Sequence, residues 1–147
     1  MTQNEGSPPL VQSGVPGLDR VLMGGFLREG FYLVQGDPGS GKTTLALQYI
    51  LARKQAGERC LYVSLTESRR DLESTCRSHG WSLEGLDICD LTRSAANLVD
   101  ESEASVFHPA DIELGETTKA ILSEVERVNP EHVVFDGLSE MRLLTGE

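Results

Sequence analysis

The stretch "GDPGSGKTT" (residues 36–44) decides the fold class of this 147-residue chain. Gly36 and Gly41 enclose four residues, and Lys42 and Thr43 follow at once, which matches the phosphate-binding pattern G-x-x-x-x-G-K-[ST]. Glycines let the backbone turn through positive φ and bring successive N–H groups close to phosphate oxygens. The stretch therefore predicts a loop that holds a chain of phosphates.

The segments on either side of this loop supply the context that the motif requires. The run "FYLVQ" (residues 31–35) is short, apolar and bounded by Gly30 and Gly36, which predicts a buried parallel strand. From residue 42 to about 55 the apolar residues follow a helical spacing, and Gly57 marks the stop. A strand, a glycine-rich loop and a helix in this order predict a P-loop.

The side chains of the loop then have chemical roles. The ammonium of Lys42 can bridge the β- and γ-phosphates, and the hydroxyl of Thr43 can enter the coordination shell of Mg²⁺. The helix that begins near Lys42 adds unpaired N–H donors and the positive end of its dipole. We expect nine consecutive residues to bind the nucleotide: Gly36, Asp37, Pro38, Gly39, Ser40, Gly41, Lys42, Thr43 and Thr44.

Beyond the loop, strand-like and helix-like segments alternate, which is typical of an α/β fold with a mostly parallel sheet flanked by helices. Ser68, followed three positions later by Asp71, predicts a capped helix start. Residues 97–116 contain six carboxylates and no lysine or arginine, which predicts a solvated loop. The sequence predicts strands at residues 31–35, 60–65, 87–91 and 132–136, and helices at 18–23, 42–55, 68–79 and 117–128.

Two carboxylates follow predicted strands. Asp136 ends the apolar run "HVVFD" (residues 132–136), the Walker B form, and would hold Mg²⁺ through water. Glu67 follows "YVSL" (residues 62–65), at the strand end where open α/β sheets bind ligands. It could orient or deprotonate an attacking water, or it could be a glutamate that the dipole favours at a helix start. The residues by themselves leave both readings open.

Five stretches follow one another along the chain: "GVPGLDRVLMGGF" (14–26), "GDPGSGKTT" (36–44), "YVSLTES" (62–68), "HGWSLEGL" (79–86) and "HVVFDGLSEMRLL" (132–144). In this order they resemble KaiC-like ATPases of the RecA superfamily. The resemblance runs from about Ser13 to the end of the chain and implies a RecA-like P-loop NTPase core, ATP as the nucleotide, Mg²⁺ as a cofactor and ring-like homo-hexamers.

The resemblance also bears on the choice left open for Glu67. KaiC-like domains carry a catalytic acid at the end of the corresponding strand, and KaiC itself has two adjacent glutamates there. This chain has Thr66–Glu67, so only the second position keeps a carboxylate. We therefore expect Lys42 and Glu67 to be catalytic, and Thr43 and Asp136 to form the metal site.

The length departs from the family. RecA-like domains continue well beyond the Walker B strand, and about 80 to 100 residues are missing relative to one full domain of typical size. We expect residues 1–12 to be a flexible tail and residues 13–147 to be the N-terminal portion of a KaiC/RecA-like ATPase domain, with its C-terminal part missing. A shortened chain, a fragmentary gene product and half of a site that another chain completes all fit.

Composition restricts location and partners. The formal net charge of −10 disfavours binding to nucleic acid or anionic lipid, and no apolar run approaches the roughly 20 residues that cross a bilayer. The start of the chain does not read as a secretory signal, and the three cysteines lack metal-ligand spacing. We expect a cytoplasmic protein with reduced, buried thiols and with histidines at its surface.

Four functions are then in competition. The leading one is Mg²⁺-dependent ATP hydrolysis that drives changes in a homo-oligomer or a protein partner. A nucleotide-gated binding module with little turnover is the second, and a Ser/Thr kinase that acts on a neighbouring subunit is the third. The acidic charge disfavours the fourth, a recombinase-type filament on DNA.

Overall fold

The computed structural model describes residues 9–92 and 109–139, and only the backbone of residues 109–114. Its main sheet contains β3 (Cys60–Ser64), β4 (Asp87–Asp90) and β5 (His132–Asp136), which are parallel and ordered β4–β3–β5. All five residues of β3 are buried, as expected for the middle strand of a sheet covered on both faces. The α/β class with a parallel sheet is confirmed.

Helices cover both faces of this sheet. Helices α2 (Lys42–Gln55) and α3 (Arg69–Ser78) pack on one face, and α4 (Pro109–Val128) packs on the other. Because successive side chains of a strand point to opposite faces, β3 divides its side chains between two apolar clusters. The first includes Cys60 and Tyr62 with Leu47, Ile50, Leu51, Leu72 and Cys76, and the second includes Leu61 and Val63 with Ala120, Ile121, Val125 and Val128.

A small unit precedes the main sheet. Strand β1 (Leu10–Val11) pairs antiparallel with β2 (Phe26–Leu27). The short helix α1 (Pro16–Val21) connects the two strands along the chain. At Gly25 the backbone has φ of +133°, and a Cβ would lie 2.2 Å from the carbonyl oxygen of Val11, so only glycine fits. Leu10–Val11, expected in the tail, therefore belongs to the folded part. The rest of that tail, residues 1–8, lies outside the described residues.

Two helix boundaries follow from local chemistry. Helix α2 has the predicted bounds and is followed by Gly57 at φ of +84°. Helix α3 begins with the predicted capping box: the Ser68 hydroxyl accepts from the Asp71 N–H, and the Asp71 carboxylate accepts from the Ser68 N–H. Both predicted boundaries are confirmed. The physical reason is that residues at a helix end satisfy backbone groups that the helix itself leaves unpaired.

The predicted strand at residues 31–35 is wrong. This segment is not a strand, and its side chains face outward: Phe31 is 91% exposed and Leu33 is 67% exposed. Apolar composition signals a preference for burial, but a strand exists only where a neighbouring backbone pairs with it. Among residues 9–92 and 109–139 no strand pairs with this segment.

The predicted loop at residues 97–116 is wrong at its end. Helix α4 begins at Pro109, eight positions before the predicted start at residue 117. Proline suits the first turn of a helix because its fixed φ is helical and its missing N–H is not needed there. Residues 97–108 of the predicted loop lie outside the described residues.

The expectation for the cysteines is confirmed. Cys60, Cys76 and Cys89 are free and buried, and burial raises the pKa of the Cys60 thiol to about 11. These thiols therefore stay protonated and unreactive near neutral pH. Within the part of the chain that the structure describes, no helix has the length and apolar character needed to span a bilayer.

Candidate nucleotide-binding site

The glycine-rich loop has the backbone shape that its sequence predicts. Gly39 and Gly41 have φ of +78° and +89°, and a Cβ on Gly36 would lie 2.7 Å from the Ser40 hydroxyl oxygen. Gly41 is also the N-cap of α2, and no side chain caps this helix start. The first-turn N–H groups of α2 are therefore available to an anion, with the positive end of the helix dipole behind them.

Lys42 folds back over the loop. Its Nζ donates to the carbonyl oxygens of Gly36 at 2.8 Å and Asp37 at 2.9 Å, and the Ser40 N–H donates to the same Asp37 carbonyl at 3.1 Å. The loop residues from Gly36 to Gly41 are exposed, whereas the side chains from Lys42 to Thr44 are half-buried. The ammonium thus lies at the mouth of the loop, where an anion would meet it.

Asp136 joins the loop to the sheet. The hydroxyl of Thr43, in the first turn of α2, donates to Asp136 Oδ2 at 2.9 Å. The Tyr62 hydroxyl of β3 donates to the same oxygen at 2.7 Å. Burial and the Asp136 charge raise the pKa of Tyr62 far above its usual range, so the phenol stays a donor. The structure therefore brings together the two residues that the sequence assigned to a metal site.

Tyr62 is the site residue that sequence reasoning missed. It stands in the apolar run of β3, and that run by itself predicts only a strand. The signal was its hydroxyl, because a buried tyrosine usually finds a hydrogen-bond partner. Which partner it finds depends on the pairing of β3 with β5, which sequence does not state.

Glu67 lies just beyond the end of β3, close enough to Asp136 to feel its charge. The β3–β5 register places Ser64 opposite Asp136, and the Leu65 N–H donates to the Asp136 carbonyl at 3.1 Å. The Ser64 hydroxyl donates to the Glu67 carbonyl at 2.7 Å and accepts from the Glu67 N–H at 3.2 Å. Burial raises the pKa of the Glu67 carboxyl, and the negative charges of Asp136 and Asp71 raise it further.

The donors present here fit a magnesium-bound triphosphate. Mg²⁺ prefers oxygen ligands and keeps several waters, and Thr43 and Asp136 offer a hydroxyl and a carboxylate. Among the described residues, no group of three or more His, Cys, Asp or Glu side chains could hold a metal ion. A cation at this site would therefore take its remaining ligands from phosphate and water.

A second polar cluster lies at the opposite end of β5, and it corrects the expectation that the histidines are at the surface. His132 is buried, and its Nδ1 lies 2.9 Å from the Tyr49 hydroxyl. Its Nε2 lies 3.1 Å from Glu58 Oε2 but is not aligned for a hydrogen bond. Glu58 also pairs with Arg28 at 2.6 Å and with Arg53 at 3.4 Å.

Burial sets the titration of this cluster. Burial lowers the pKa of His132, and the attraction of Glu58 does not restore it. Burial also raises the pKa of Glu58, but the hydrogen bond from Arg28 and the nearby positive charges outweigh it, so that pKa is lowered overall. At neutral pH the cluster therefore consists of a neutral imidazole beside a charged carboxylate with two arginines.

A glycine-rich loop at the start of a helix, beside a parallel sheet that ends in a carboxylate, is typical of P-loop proteins, and the fold as a whole matches the RecA type. Residues 11–147 match the sequence profile described as "ATPase: KaiC". The chain therefore belongs to the KaiC ATPase family. The family resemblance inferred from the sequence is confirmed.

Known relatives agree with this assignment. A UPF0273 protein of Thermotoga maritima is 27% identical over 137 residues, which cover 89% of this chain and 56% of that protein. The circadian clock oscillator protein KaiC of Thermostichus vulcanus is 31% identical over 131 residues. This match covers 89% of this chain and 23% of the KaiC protein. The solved structure of a KaiC-like protein from Pyrococcus horikoshii matches with a TM-score of 0.72 and 27% identity, over 93% of this chain and 57% of that one. The chain thus spans about half the length of the UPF0273 relative.

Proposed function

We propose that this chain binds ATP together with Mg²⁺ and hydrolyses the phosphoanhydride bond to the terminal phosphate. The observation that carries the proposal is the 2.9 Å contact between Thr43 and Asp136, which lie 93 residues apart. It joins the start of the P-loop helix to the end of β5. The hydrogen-bond donors proposed for the phosphates and the carboxylate proposed for the metal ion therefore lie in one site. Phosphoryl transfer in P-loop proteins needs both at once.

The residues have separate roles in this proposal. Mg²⁺, when bound, would neutralise charge on the β- and γ-phosphate oxygens. The Thr43 hydroxyl donates a hydrogen bond to Asp136, so its oxygen keeps lone pairs for a cation. Lys42 would exchange its two carbonyl partners for phosphate oxygens, which form stronger, charge-assisted hydrogen bonds.

Glu67 is the proposed general base. It lies just past the end of β3, at the edge of the sheet where the site is. The Ser64 hydroxyl hydrogen-bonds both the carbonyl and the N–H of Glu67 and so fixes its backbone. A base works best when its pKa approaches the operating pH, and burial beside Asp136 moves the Glu67 pKa in that direction. A deprotonated Glu67 would accept the proton of a water that attacks the terminal phosphate.

Phosphate release from ATP by the purified chain tests the proposal. We expect Mg²⁺-dependent release, with Lys42→Ala weakening ATP binding by about tenfold or more because it removes charge-assisted hydrogen bonds. Glu67→Gln should retain binding and lose turnover. Lys119→Ala is the matched control, because Lys119 lies on α4, which covers the opposite face of the sheet from α2. Equal turnover in all four proteins would refute the assignment.

One observation favours a second function, a nucleotide-gated binding module with little turnover. The position before Glu67 holds Thr66, an exposed side chain without charge, so the site has a single carboxylate at this strand end. ATP recovered intact after hours with the chain, at saturating binding, would support the module. Rapid phosphate release would exclude it.

The remaining expectations stay proposals. Assembly into a homo-oligomer, coupling of the nucleotide to a partner and a cytoplasmic location are inferred from the family and from composition. Sedimentation velocity with and without Mg·ATP tests the first, with a nucleotide-dependent rise in mass as the expected result. Transfer of phosphate to a serine or threonine of a neighbouring subunit also stays a prediction.

A further inference from the structure

We propose that Tyr62 is a positioning residue that holds the Asp136 carboxylate in the orientation needed to bind the metal ion. The inference rests on the proposed function, because it assumes that Asp136 serves Mg²⁺. Its starting point is the 2.7 Å hydrogen bond from the Tyr62 hydroxyl to Asp136 Oδ2. The bond links two residues separated by 74 positions in the chain.

The pairing of β3 with β5 creates this contact. Tyr62 lies opposite Val134, so Asp136 is two residues farther along β5 on the same face of the sheet. An aromatic side chain with a terminal hydroxyl can reach a diagonal neighbour of this kind, as the 2.7 Å hydrogen bond shows. The Tyr62 side chain is fully buried in the cluster with Leu47 and Ile50, so the hydroxyl cannot turn away.

The hydroxyls of Tyr62 and Thr43 both donate hydrogen bonds to Asp136 Oδ2. A carboxylate oxygen offers about two lone-pair positions, and the two hydroxyl donors at 2.7 and 2.9 Å fill both. Among the described residues, no side chain or backbone group donates to Oδ1. The donors come from α2 and β3, so they fix the carboxylate from two elements and leave Oδ1 as the oxygen for a metal-bound water.

Packing does not require the Tyr62 hydroxyl. A phenylalanine would fill the same volume in the apolar cluster, and a buried hydroxyl destabilises a core unless it is hydrogen-bonded. The hydroxyl has one partner in the described chain, and that partner is the carboxylate assigned to the metal. Residues that orient a ligand in this way change metal affinity even though they do not touch the ion.

The test compares nucleotide affinity with and without Mg²⁺. A fluorescent ATP analogue is titrated into wild type and Tyr62→Phe, in EDTA and in excess Mg²⁺. We expect Tyr62→Phe to reduce the gain in affinity that Mg²⁺ provides by about tenfold, the lower end of the effect of such orienting partners. The affinity in EDTA should stay unchanged, because the loop and Lys42 are untouched.

Tyr49→Phe is the matched control. The Tyr49 hydroxyl also contacts a residue of β5, His132 Nδ1 at 2.9 Å, but at the opposite end of that strand. It should leave the Mg²⁺-dependent gain intact. In an Asp136→Asn background, Tyr62→Phe should add no further loss, because the two residues act through one carboxylate.

The outcomes separate this inference from the proposed function. No nucleotide binding by wild type in either buffer rejects the proposed function and the inference with it. Wild type with a normal Mg²⁺ gain that Tyr62→Phe retains rejects only the inference. An equal loss of affinity in both buffers would mean that Tyr62 is merely structural, and it also rejects the inference.

If Tyr62→Phe does not fold, a second measurement tests whether Tyr62 responds to the metal ion. The chain has three tyrosines, so fluorotyrosine labelling gives three fluorine resonances, and Tyr32→Phe and Tyr49→Phe identify the signal of Tyr62 by elimination. Adding Mg²⁺ to the nucleotide-bound protein should shift the Tyr62 resonance and not that of Tyr49. An unmoved Tyr62 resonance would overturn the inference.

Discussion

Thr43 and Asp136 are joined by a hydrogen bond of 2.9 Å, although 93 residues separate them in the chain. The bond links the first turn of α2 to the end of β5. It therefore places the Asp136 carboxylate next to the N–H groups and side chains that are proposed to bind phosphate. It is the contact on which the assignment of the site depends.

This contact predicts that the two side chains act as a unit. Thr43→Val and Asp136→Asn should each weaken Mg·ATP binding by about tenfold, as loss of a hydrogen bond to a charged group would. The double variant should lose less than the product of the two, because residues in one network are not additive. Isothermal titration calorimetry measures all four affinities. Thr43→Ser, which keeps the hydroxyl, is the control, and fully additive losses would contradict the prediction.

Glu67→Gln should stabilise the fold while removing turnover. Burial raises the Glu67 pKa in the folded chain above its unfolded value, so the folded state disfavours the charged form. The stability that this group contributes is present at low pH and is lost as pH rises through the folded pKa, so at pH 7 the charge is destabilising. Tm should rise by a few degrees at most at pH 7, and less near pH 4.

Glu126→Gln is the control for this measurement, because Glu126 is an exposed glutamate of α4. Its Tm should match that of wild type. A Glu67→Gln variant that is less stable than wild type at pH 7 would show that the charge is well solvated or paired in the fold.

The buried His132 predicts a pH dependence of stability. Burial lowers its pKa below the unfolded value of about 6.5, so its contribution is fully present above pH 6.5 and is lost as pH falls through the folded pKa. Urea unfolding between pH 7.5 and 5 should show this decline, and His132→Gln, which keeps a polar partner for the Tyr49 hydroxyl, should flatten it. The exposed His79 serves as the control, and His79→Gln should keep the wild-type profile.

The start of α3 offers a prediction about stability alone. Ser68→Ala removes the side-chain half of the capping box and should lower the free energy of unfolding by about 1 kcal/mol. Ser74→Ala, at an exposed position inside the same helix, should have no such effect or a slightly favourable one, because alanine is the better helix former. Equal urea midpoints for the two variants would mean that the capping box contributes nothing measurable.

The exposed run before the P-loop predicts self-association. Phe31 and Leu33 are 91% and 67% exposed and lie two residues apart, which is an apolar patch that water disfavours. Replacing both by serine should reduce concentration-dependent association of the purified chain in sedimentation velocity. Leu122→Ser, which removes an exposed leucine of α4, should change association little. If the double variant associates as wild type does, this patch is not the contact.

Local chemistry made much of this structure predictable. The bounds of α2, the capping box of α3 and the positive φ of the loop glycines depend on neighbours within a few residues, and the sequence contains all of them. The strands β3 and β5 were also predictable, because a continuous apolar run favours a parallel strand, and "CLYVSL" and "HVVFD" supply one each.

The errors came where pairing or long-range contact decides the outcome. The run at 31–35 is as apolar as β5, yet it forms no strand, because pairing needs a partner and none of the described residues provides one. His132 stands at a strand end, where polar residues are usually solvated, but Tyr49 and Glu58 enclose it.

By itself, the sequence determined the phosphate loop, the helix that follows it and the carboxylates at the ends of β3 and β5, because spacing within short segments encodes them. Only the tertiary structure decided that Asp136 receives two hydroxyl donors, from Thr43 and Tyr62. Those contacts join residues 74 and 93 positions apart, and the register of β3 against β5 and the packing of α2 on the sheet set them. Such relations depend on three elements at once, which no local pattern contains.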